Sequence, residues 1–269
     1  MKQVYLSPHL DDALLSCGGT IHRQTAAGQE VLVITLFSAD AVPDSPLSPF
    51  ARQLHADWGH PPRPMALRRA EDLAALTLLR AEAQHLGYLD AVYRTAADGR
   101  WLYPDLQTLF GPPHPDDPLA PHDLADLLAG LVPRDSSIYA PLGVGRHVDH
   151  QIVHAAAWQL LARGRRLAFY EDFPYAEKPG ALEAALAAVG QKVESWQVEE
   201  MPLAAADLSA KVAALGYYRS QMAILFDGAE AMPNRVWAFA ARLGTGLTER
   251  IWWPQLPPGE GGEAHARNH

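Results

Sequence analysis

The chain is organised around the stretch Ser7-Pro8-His9-Leu10-Asp11-Asp12. It follows a short apolar run and precedes a helical pattern that begins near Ala13. A histidine and two acids therefore stand at the C-terminal end of a predicted first strand, and in open parallel α/β sheets this end is where ligands bind. Histidine and aspartate are zinc ligands, and a catalytic zinc site combines three protein ligands with one open position. We expect this stretch to supply half of a metal site.

The bulk composition is that of an ordinary globular protein. The 269 residues are 48% apolar and 20% charged, with a net charge of -9. This acidic balance argues against a nucleic-acid partner, since phosphate contacts need clustered lysine and arginine. Cys17 is the single cysteine, so no internal disulfide can form.

The sequence also shows no membrane or export signal. No apolar stretch approaches the ~18 residues that a membrane helix needs, and the N-terminal apolar run is too short for a signal peptide. We therefore expect a cytoplasmic protein without a membrane span, whose partner is a small molecule. The sequence leaves open whether the chain forms a homo-oligomer.

Strands alternate with helices along the chain. This pattern predicts an α/β fold, a single Rossmann-like three-layer domain with a mostly parallel sheet and helices on both faces. The predicted strands are 3–6, 31–37, 86–90, 136–142, 167–173, 193–198 and 247–253. The predicted helices are 13–25, 65–84, 122–131, 149–162, 181–189, 205–225 and 234–243.

Three further stretches carry expectations of their own. Residues 40–64, rich in proline and serine, are expected to form a long loop. Gly18 and Gly19 each cost the first helix about 1 kcal/mol, so we expect another backbone or a ligand to approach them closely. The domain is expected to span residues 1–256, and the Gly-, Pro- and Glu-rich residues 257–269 to form a disordered tail.

A second cluster has the layout of the first. His147-Val148-Asp149-His150 follows a predicted strand and a glycine-bearing turn, and it opens a predicted helix. Acids at helix starts often serve only as caps, but two such clusters at strand-to-helix junctions favour a shared metal site. The residues alone leave the ligand set open. It would comprise His9, one or both of Asp11 and Asp12, and one of His147, His150 and His154.

These motifs resemble those of a known family, the PIG-L/LmbE-like deacetylases. Residues 7–20 resemble the first family motif and residues 145–150 the second. The Arg68…Glu71 segment and the stretch from Lys211 to Gln221 are similar to two further features, so the resemblance spans roughly residues 3–225. This chain departs from the commoner motifs at Leu10 and Val148, where proline is usual, which leaves the substrate uncertain.

The resemblance implies a zinc-dependent hydrolase that removes an N-acetyl group from an N-acetylglucosamine-type conjugate. It implies His9, Asp12 and His150 as zinc ligands, although another divalent metal stays open. It implies Asp11 as the general base and His147 as the group that stabilises the tetrahedral intermediate. Asp149 is expected to orient His147. Zinc suits this chemistry because it lowers the pKa of water to about 7 and polarises the carbonyl.

Four other residues are candidate substrate contacts: Arg68, Asp90, Arg94 and Arg146. For Arg68 a surface pair with Glu71 is an equally good interpretation, and Asp90 could merely cap a turn. Two rival functions stay open. One is a zinc amidase or esterase that acts on a non-sugar substrate, and the other is an inactive carbohydrate-binding protein of the same fold. The intact Asp11 and His147 weigh against the second rival, since binding alone needs neither.

Overall fold

The computed structural model describes residues 1–43, 45–226 and 228–257. Apart from Pro257, the predicted disordered tail lies outside these residues. The strands are β1 (Gln3–Ser7), β2 (Val31–Thr35), β3 (Glu82–His85), β4 (Ser137–Pro141), β5 (Arg166–Tyr170), β6 (Ser195–Leu203) and β7 (Leu247–Gln255). The helices are α1 (Asp12–Ala26), α2 (Pro49–Asp57), α3 (Pro64–Leu78), α4 (Leu106–Leu109), α5 (Pro121–Leu131), α6 (Val148–Ala162), α7 (Ala181–Val189), α8 (Ala205–Leu215), α9 (Met222–Phe226) and α10 (Met232–Ala241).

The strands form one sheet in the order β3-β2-β1-β4-β5-β7-β6. The five strands from β3 to β5 are parallel, and β7 and β6 add an antiparallel hairpin at one edge. The strand order reverses between β1 and β4, and ligands of doubly wound sheets bind in the crevice at such a switch point. The two predicted clusters follow these two strands, so both begin at the crevice.

Alternation along the strands separates two apolar cores. Tyr5 and Val33 face a core formed with α1, α3, α8 and α10. Their neighbours Val4 and Ile34 face the opposite core, formed with α5 and α6. Because every second side chain of a strand points to the same face, each central strand serves both cores. The predicted three-layer α/β fold is confirmed.

A third apolar cluster lies beyond the ends of the strands. It joins α2 and α3 to the loops around Tyr93 and Tyr103. Leu10 and Val148 belong to this cluster, and both are 0% exposed. These are the two positions where the resembling family more often has proline, so at both places the chain adds an apolar anchor beside the crevice.

Some predicted boundaries were wrong. The predicted loop 40–64 contains α2, whose first turn is capped by the Ser48 hydroxyl on the Ala51 N–H at 2.9 Å. The predicted helix 65–84 ends at Leu78, and the strand that follows is β3 rather than 86–90. Ser48-Pro49 was a readable start signal, since serine caps helices and proline suits their first position.

The predicted helix 205–225 is also interrupted. It divides into α8 and α9, and residues 216–221 between them leave the helical path. The N–H and hydroxyl of Ser220 both bond to the Glu71 carboxylate, at 3.0 and 2.6 Å. This long-range contact outweighs the local helical pattern and brings Gln221 to the crevice.

The glycines of α1 are in close contact with other elements of the fold. A Cβ added to Gly18 would lie 2.9 Å from the Lys211 side chain, and one added to Gly19 would lie 2.6 Å from Leu203. The close neighbours are therefore side chains of α8 and β6, where the approach of another backbone or of a ligand was predicted. Among the described helices, none is long and apolar enough to cross a membrane.

Candidate active site

The turns after β1 and β4 bring the two predicted clusters together. The rings of His9 and His147 lie 4.7 Å apart and nearly perpendicular, and the rings of His9 and His150 lie 5.3 Å apart. All three histidines are buried, and their ring nitrogens can be chosen so that all lie within 4.8 Å of one another. Residues some 140 positions apart in the chain thus share one site.

Asp12 stands between two of the histidines. Its Oδ2 lies 3.1 Å from His9 Nδ1 and 3.2 Å from His150 Nε2. Ligand atoms that are 2.0–2.1 Å from a tetrahedral zinc lie about 3.3 Å from each other. The two distances from Asp12 Oδ2 are therefore close to the spacing between neighbouring ligand atoms of a zinc ion.

Each of these two histidines is held from behind by another carboxylate. His9 Nε2 lies 3.0 Å from Asp149 Oδ2, and His150 Nδ1 lies 2.7 Å from Asp172 Oδ1. His150 Nε2 has no hydrogen-bond partner among the described residues. Metal-binding histidines usually donate their second ring N–H to a carboxylate, which aims the first nitrogen at the metal. The donor set therefore fits a divalent cation.

Among the described residues, two groups of side chains have ligand atoms that all lie within 4.8 Å of one another, and neither group contains Asp12. One is His9, His147 and His150, and the other is His9, Asp90 and Asp149. In the second group the acids approach His9 Nε2, at 3.7 and 3.0 Å. The carboxylates behind His9 and His150 favour the set centred on Asp12, because they leave the nitrogens that face Asp12 free.

The site attracts positive charge. Burial opposes a charge on the His9 ring, but Asp90, Asp12 and Asp149 outweigh it and raise the pKa of His9 well above its usual value. Burial likewise opposes the charge on His150, yet Asp12 and Asp172 raise its pKa to about 9. A divalent cation would satisfy the same field of carboxylates.

Asp11 lines the same cavity and pairs with Arg68. Its Oδ2 lies 3.6 Å from Arg68 Nη2, and its side chain makes no capping bond to α1. Burial raises the pKa of Asp11 to about 6, with the charge of Arg68 opposing and that of Asp12 adding to the shift. A carboxyl group with this pKa can both take up and release a proton near neutral pH.

His147 is neutral and presents a defined tautomer. Burial and the charge of His9 lower the pKa of His147 well below its usual value. Its Nδ1 accepts the backbone N–H of Asp149 at 3.2 Å, so the ring proton is on Nε2. The expectation that the Asp149 carboxylate orients His147 needs correction, because the backbone does so while the carboxylate contacts His9 and Arg94.

The four candidate substrate contacts divide into two pairs. Arg68 and Asp90 line the cavity at the site. Arg94 does not, contrary to expectation: it is 3% exposed and forms ion pairs with Asp149 Oδ1 at 2.7 Å and Asp117 Oδ2 at 3.0 Å. Arg94 therefore supports Asp149 from behind. Arg146 is exposed and lies outside the cavity lining, which also differs from the expectation.

The cavity has a volume of about 160 Å³. Its floor is polar and carries His9, Asp11, Asp12, Arg68 and His147. Its walls are mostly apolar and come from α2, α4 and α9, with the following side chains: Phe50, Leu54, Leu106, Leu109, Ile224 and Leu225. A polar group can thus reach the floor while an apolar surface contacts the walls.

Two residues of the site were missed in the sequence. Asp172 and Tyr175 both follow β5, and Tyr175 lines the cavity. A signal was available, because Glu171-Asp172 ends the predicted strand 167–173 as other acids end β1 and β4. Asp172 also accepts the N–H groups of Gly143 and Val144, at 2.8 and 2.9 Å, and so holds the turn before His147.

The fold and the site together define an α/β protein with a buried His–Asp centre at its switch point, an arrangement that suits metal-assisted hydrolysis. A family model described as PIG-L: GlcNAc-PI de-N-acetylase matches residues 4–161. The chain belongs to this family, as predicted.

Two curated relatives are similar to the chain, both called 2'-N-acetylparomamine deacetylase. The one from Niallia circulans is 30% identical over 64% of this chain and 66% of its own length, just under two thirds of that protein. The one from Streptomyces fradiae is 30% identical over 94% of this chain and 90% of its own length.

Solved structures agree with this family. The zinc-inhibited form of teicoplanin deacetylase Orf2 is 29% identical, with a TM-score of 0.80 over 96% of this chain and 100% of that chain. The A40926 pseudoaglycone deacetylase Dbv21 is 27% identical, with a TM-score of 0.67 over 93% and 95% of the two chains. The predicted enzyme class, an N-deacetylase, is confirmed by these likenesses.

Proposed function

We propose that this protein hydrolyses the N-acetyl group of an acetylated amino sugar that is carried on a larger molecule, with a bound zinc ion. The observation that carries the proposal is the position of Asp12. Its Oδ2 lies about equally far from His9 Nδ1 and His150 Nε2, at 3.1 and 3.2 Å, and each histidine has a carboxylate behind it. The deacetylase relatives support the reaction, and their sugar-bearing substrates support the substrate class.

His9 Nδ1, Asp12 Oδ2 and His150 Nε2 would hold the metal. Zinc suits this set because it favours four-coordinate sites with nitrogen and oxygen ligands, and another divalent ion is the alternative. When bound, the ion supplies a Lewis acid that polarises the acetyl carbonyl and lowers the pKa of water. Asp149 and Asp172 keep the two histidines in the required tautomers.

The chain's own groups move the protons. Asp11 is next to a metal ligand but points to Arg68, so its carboxylate is available to take a proton from water. The Nε2–H of His147 can donate a hydrogen bond to the oxygen that becomes negative, and the proton that Asp11 takes from water can pass to the departing amine. Asp11 and His147 both line the cavity, together with the proposed ligands His9 and Asp12.

The walls of the cavity would contact the aglycone, the part of the substrate that carries the amino sugar. The amino sugar would contact Arg68 and Asp90 at the floor, while the described walls are mostly apolar. An aglycone with an apolar surface fits these walls. A polar aminocyclitol aglycone is the second candidate, since both curated relatives are called deacetylases of 2'-N-acetylparomamine.

The test is amine release by the zinc-loaded protein. The panel should contain free N-acetylglucosamine, an aryl and an alkyl N-acetylglucosaminide, an N-acetylated aminocyclitol glycoside, a simple acetanilide and an acetate ester. We expect amine from the N-acetylated glycosides and the fastest release from those with apolar aglycones. Amine from the acetanilide alone, acetate from the ester alone, or no product at all would contradict the proposed substrate class.

Asp11→Asn separates catalysis from metal binding. We expect its kcat to fall by at least about a hundredfold, as for the loss of a general base, while the zinc content stays at one ion per chain by elemental analysis. Asp123→Asn, on the exposed face of α5, is the matched control. Loss of zinc together with activity would instead make Asp11 a ligand.

A further inference from the structure

We propose that Tyr175 is a catalytic residue whose phenol donates a hydrogen bond to the acetamide oxygen of the substrate. The inference rests on the proposed function and adds a residue to it. Tyr175 follows β5 in a short 3-10 turn, Tyr175–Glu177, and lines the same cavity as His9, Asp11 and Asp12. Its ring stands nearly perpendicular to that of His150, with 5.8 Å between the centroids.

The hydroxyl of Tyr175 is free. It makes no hydrogen bond with any of the residues that the structure describes. Every buried tyrosine among those residues does have a hydroxyl partner, as Tyr5 has Gln24 and Tyr218 has Asp72. The others are Tyr93, Tyr103, Tyr139 and Tyr170. Tyr175 is half-buried, like Tyr88, whose hydroxyl also has no partner among those residues. Of these two, only Tyr175 lines the cavity, where a ligand can supply the missing partner.

The ring of Tyr175 occupies space that is left by the absence of a side chain at Gly145. A Cβ added to Gly145 would lie 2.6 Å from Tyr175 Cγ and 2.8 Å from its Cβ and Cδ1. Gly145 also has φ = +86°, a conformation that favours glycine. Since Gly145 lies two residues before His147, the turn that positions His147 also packs against the ring of Tyr175.

The segment that carries Tyr175 is attached to the metal ligands. Asp172, three residues earlier, holds His150 Nδ1 at 2.7 Å and the turn at Gly143 at 2.8 Å. The N–H of Ala176 bonds back to the Asp172 carbonyl at 2.9 Å. The position of the phenol is thus fixed relative to His150 by short covalent and hydrogen-bonded links.

The chemistry of a phenol suits a donor rather than a base at this place. Burial, together with the charges of Asp12 and Asp11, raises the pKa of Tyr175 above its usual value, so the hydroxyl keeps its proton. A neutral donor can follow the carbonyl oxygen as it gains charge, and removal of one such donor costs about 10²–10³ in kcat in other hydrolases. Tyr175 and the Nε2–H of His147 would then both donate to this oxygen, and Asp11 would return its proton to the amine.

The test compares Tyr175→Phe with the wild type, both zinc-loaded, on the best substrate of the panel. We expect kcat to fall by about 10²–10³ with KM changed less than about threefold. Calorimetry should show a similar loss of affinity for a phosphonamidate that mimics the tetrahedral addition product. Zinc content and Tm should match the wild type, and Tyr217→Phe, an exposed phenol, should change nothing.

A second variant changes Gly145, the residue that the ring of Tyr175 packs against. Gly145→Ala should push the ring of Tyr175 aside and lower kcat and analogue affinity as Tyr175→Phe does. Unchanged kcat and analogue affinity in Tyr175→Phe would overturn the role of Tyr175 and leave the proposed function standing, as would a higher KM with normal kcat. A wild-type protein that releases no amine overturns the proposed function, and the role of Tyr175 falls with it.

Discussion

His9 and His150 face the same carboxylate with different ring nitrogens. His9 presents Nδ1 and His150 presents Nε2, because Asp149 and Asp172 occupy the opposite nitrogen of each ring. At the residue scale, the geometry of the site is therefore decided by two carboxylates that are not ligands themselves. Asp149 is in turn supported by the buried Arg94, which explains why Arg94 is unable to contact a substrate.

Asp172→Asn tests this arrangement at one residue. The amide keeps a hydrogen-bond acceptor for the Gly143 turn but removes the charge that holds the His150 N–H. We expect the Kd for zinc to rise about 10–100-fold, as for other carboxylates behind metal ligands. Competition with a chelating dye at constant pH measures the change.

Two comparisons make that result interpretable. Asp116→Asn removes an exposed carboxylate that pairs with Arg100 at 3.1 Å, and it should leave the Kd unchanged. The Tm of Asp172→Asn in metal-free buffer shows whether the fold is retained. If the folded variant binds zinc within about twofold of the wild type, Asp172 does not orient His150 as described.

At the element scale, α2, α4 and α9 form the apolar walls that the sequence did not predict. Leu106 on α4 and Ile224 on α9 are 60% and 43% exposed although both line the cavity. Exposed apolar side chains at the rim of a polar floor are typical of a ligand surface. Their exposure also allows substitution without damage to a core.

We expect Leu106→Asp to weaken binding of apolar aglycones selectively. The KM for an aryl N-acetylglucosaminide should rise about tenfold, because roughly 1–2 kcal/mol of apolar contact is lost, while free N-acetylglucosamine should be hydrolysed at an unchanged rate. Steady-state kinetics on both substrates measure the difference. Leu127→Asp, equally apolar and 39% exposed on α5, is the control. Equal losses on both substrates would show that the wall does not contact the aglycone.

At the scale of the whole molecule, a buried ion pair and the hydrogen bonds of its carboxylate connect α8, β7 and α1. Lys211 on α8 bonds Glu249 on β7 at 2.7 Å, and Glu249 also accepts the N–H groups of Gly19 and Thr20 in α1. Both charged side chains are 4% exposed. The segment from Lys211 to Gln221 resembles a family motif, and in this structure Lys211 has a structural role.

Lys211→Met should destabilise the fold strongly. It leaves the Glu249 carboxylate buried without its cation, which typically costs about 3–5 kcal/mol of unfolding free energy. Urea unfolding measures the loss. Lys2→Met is the matched control, since Lys2 pairs with Glu82 at the same distance of 2.7 Å on the surface, where a pair contributes at most about 1 kcal/mol. Equal effects of the two substitutions would contradict a structural role for the buried pair.

Much of the fold could be predicted because its signals are local. The apolar run of β2 and the helical spacing of α6 are properties of a few adjacent residues, and burial on both faces follows from the composition of each segment. Where long-range contacts outweigh local ones, prediction failed. The helix 205–225 is interrupted because Ser220 bonds Glu71, some 149 positions away.

The sequence by itself determined that His9, Asp12, His147 and His150 stand at the ends of two strands, because strand and helix periodicity place them there. Only the tertiary structure decided which ring nitrogen each histidine presents, that Arg68 and not Arg94 faces the cavity, and that Asp172 and Tyr175 complete the site. Those outcomes depend on packing between segments up to 140 residues apart. A pattern of adjacent residues contains no information about the free energy of such long-range contacts.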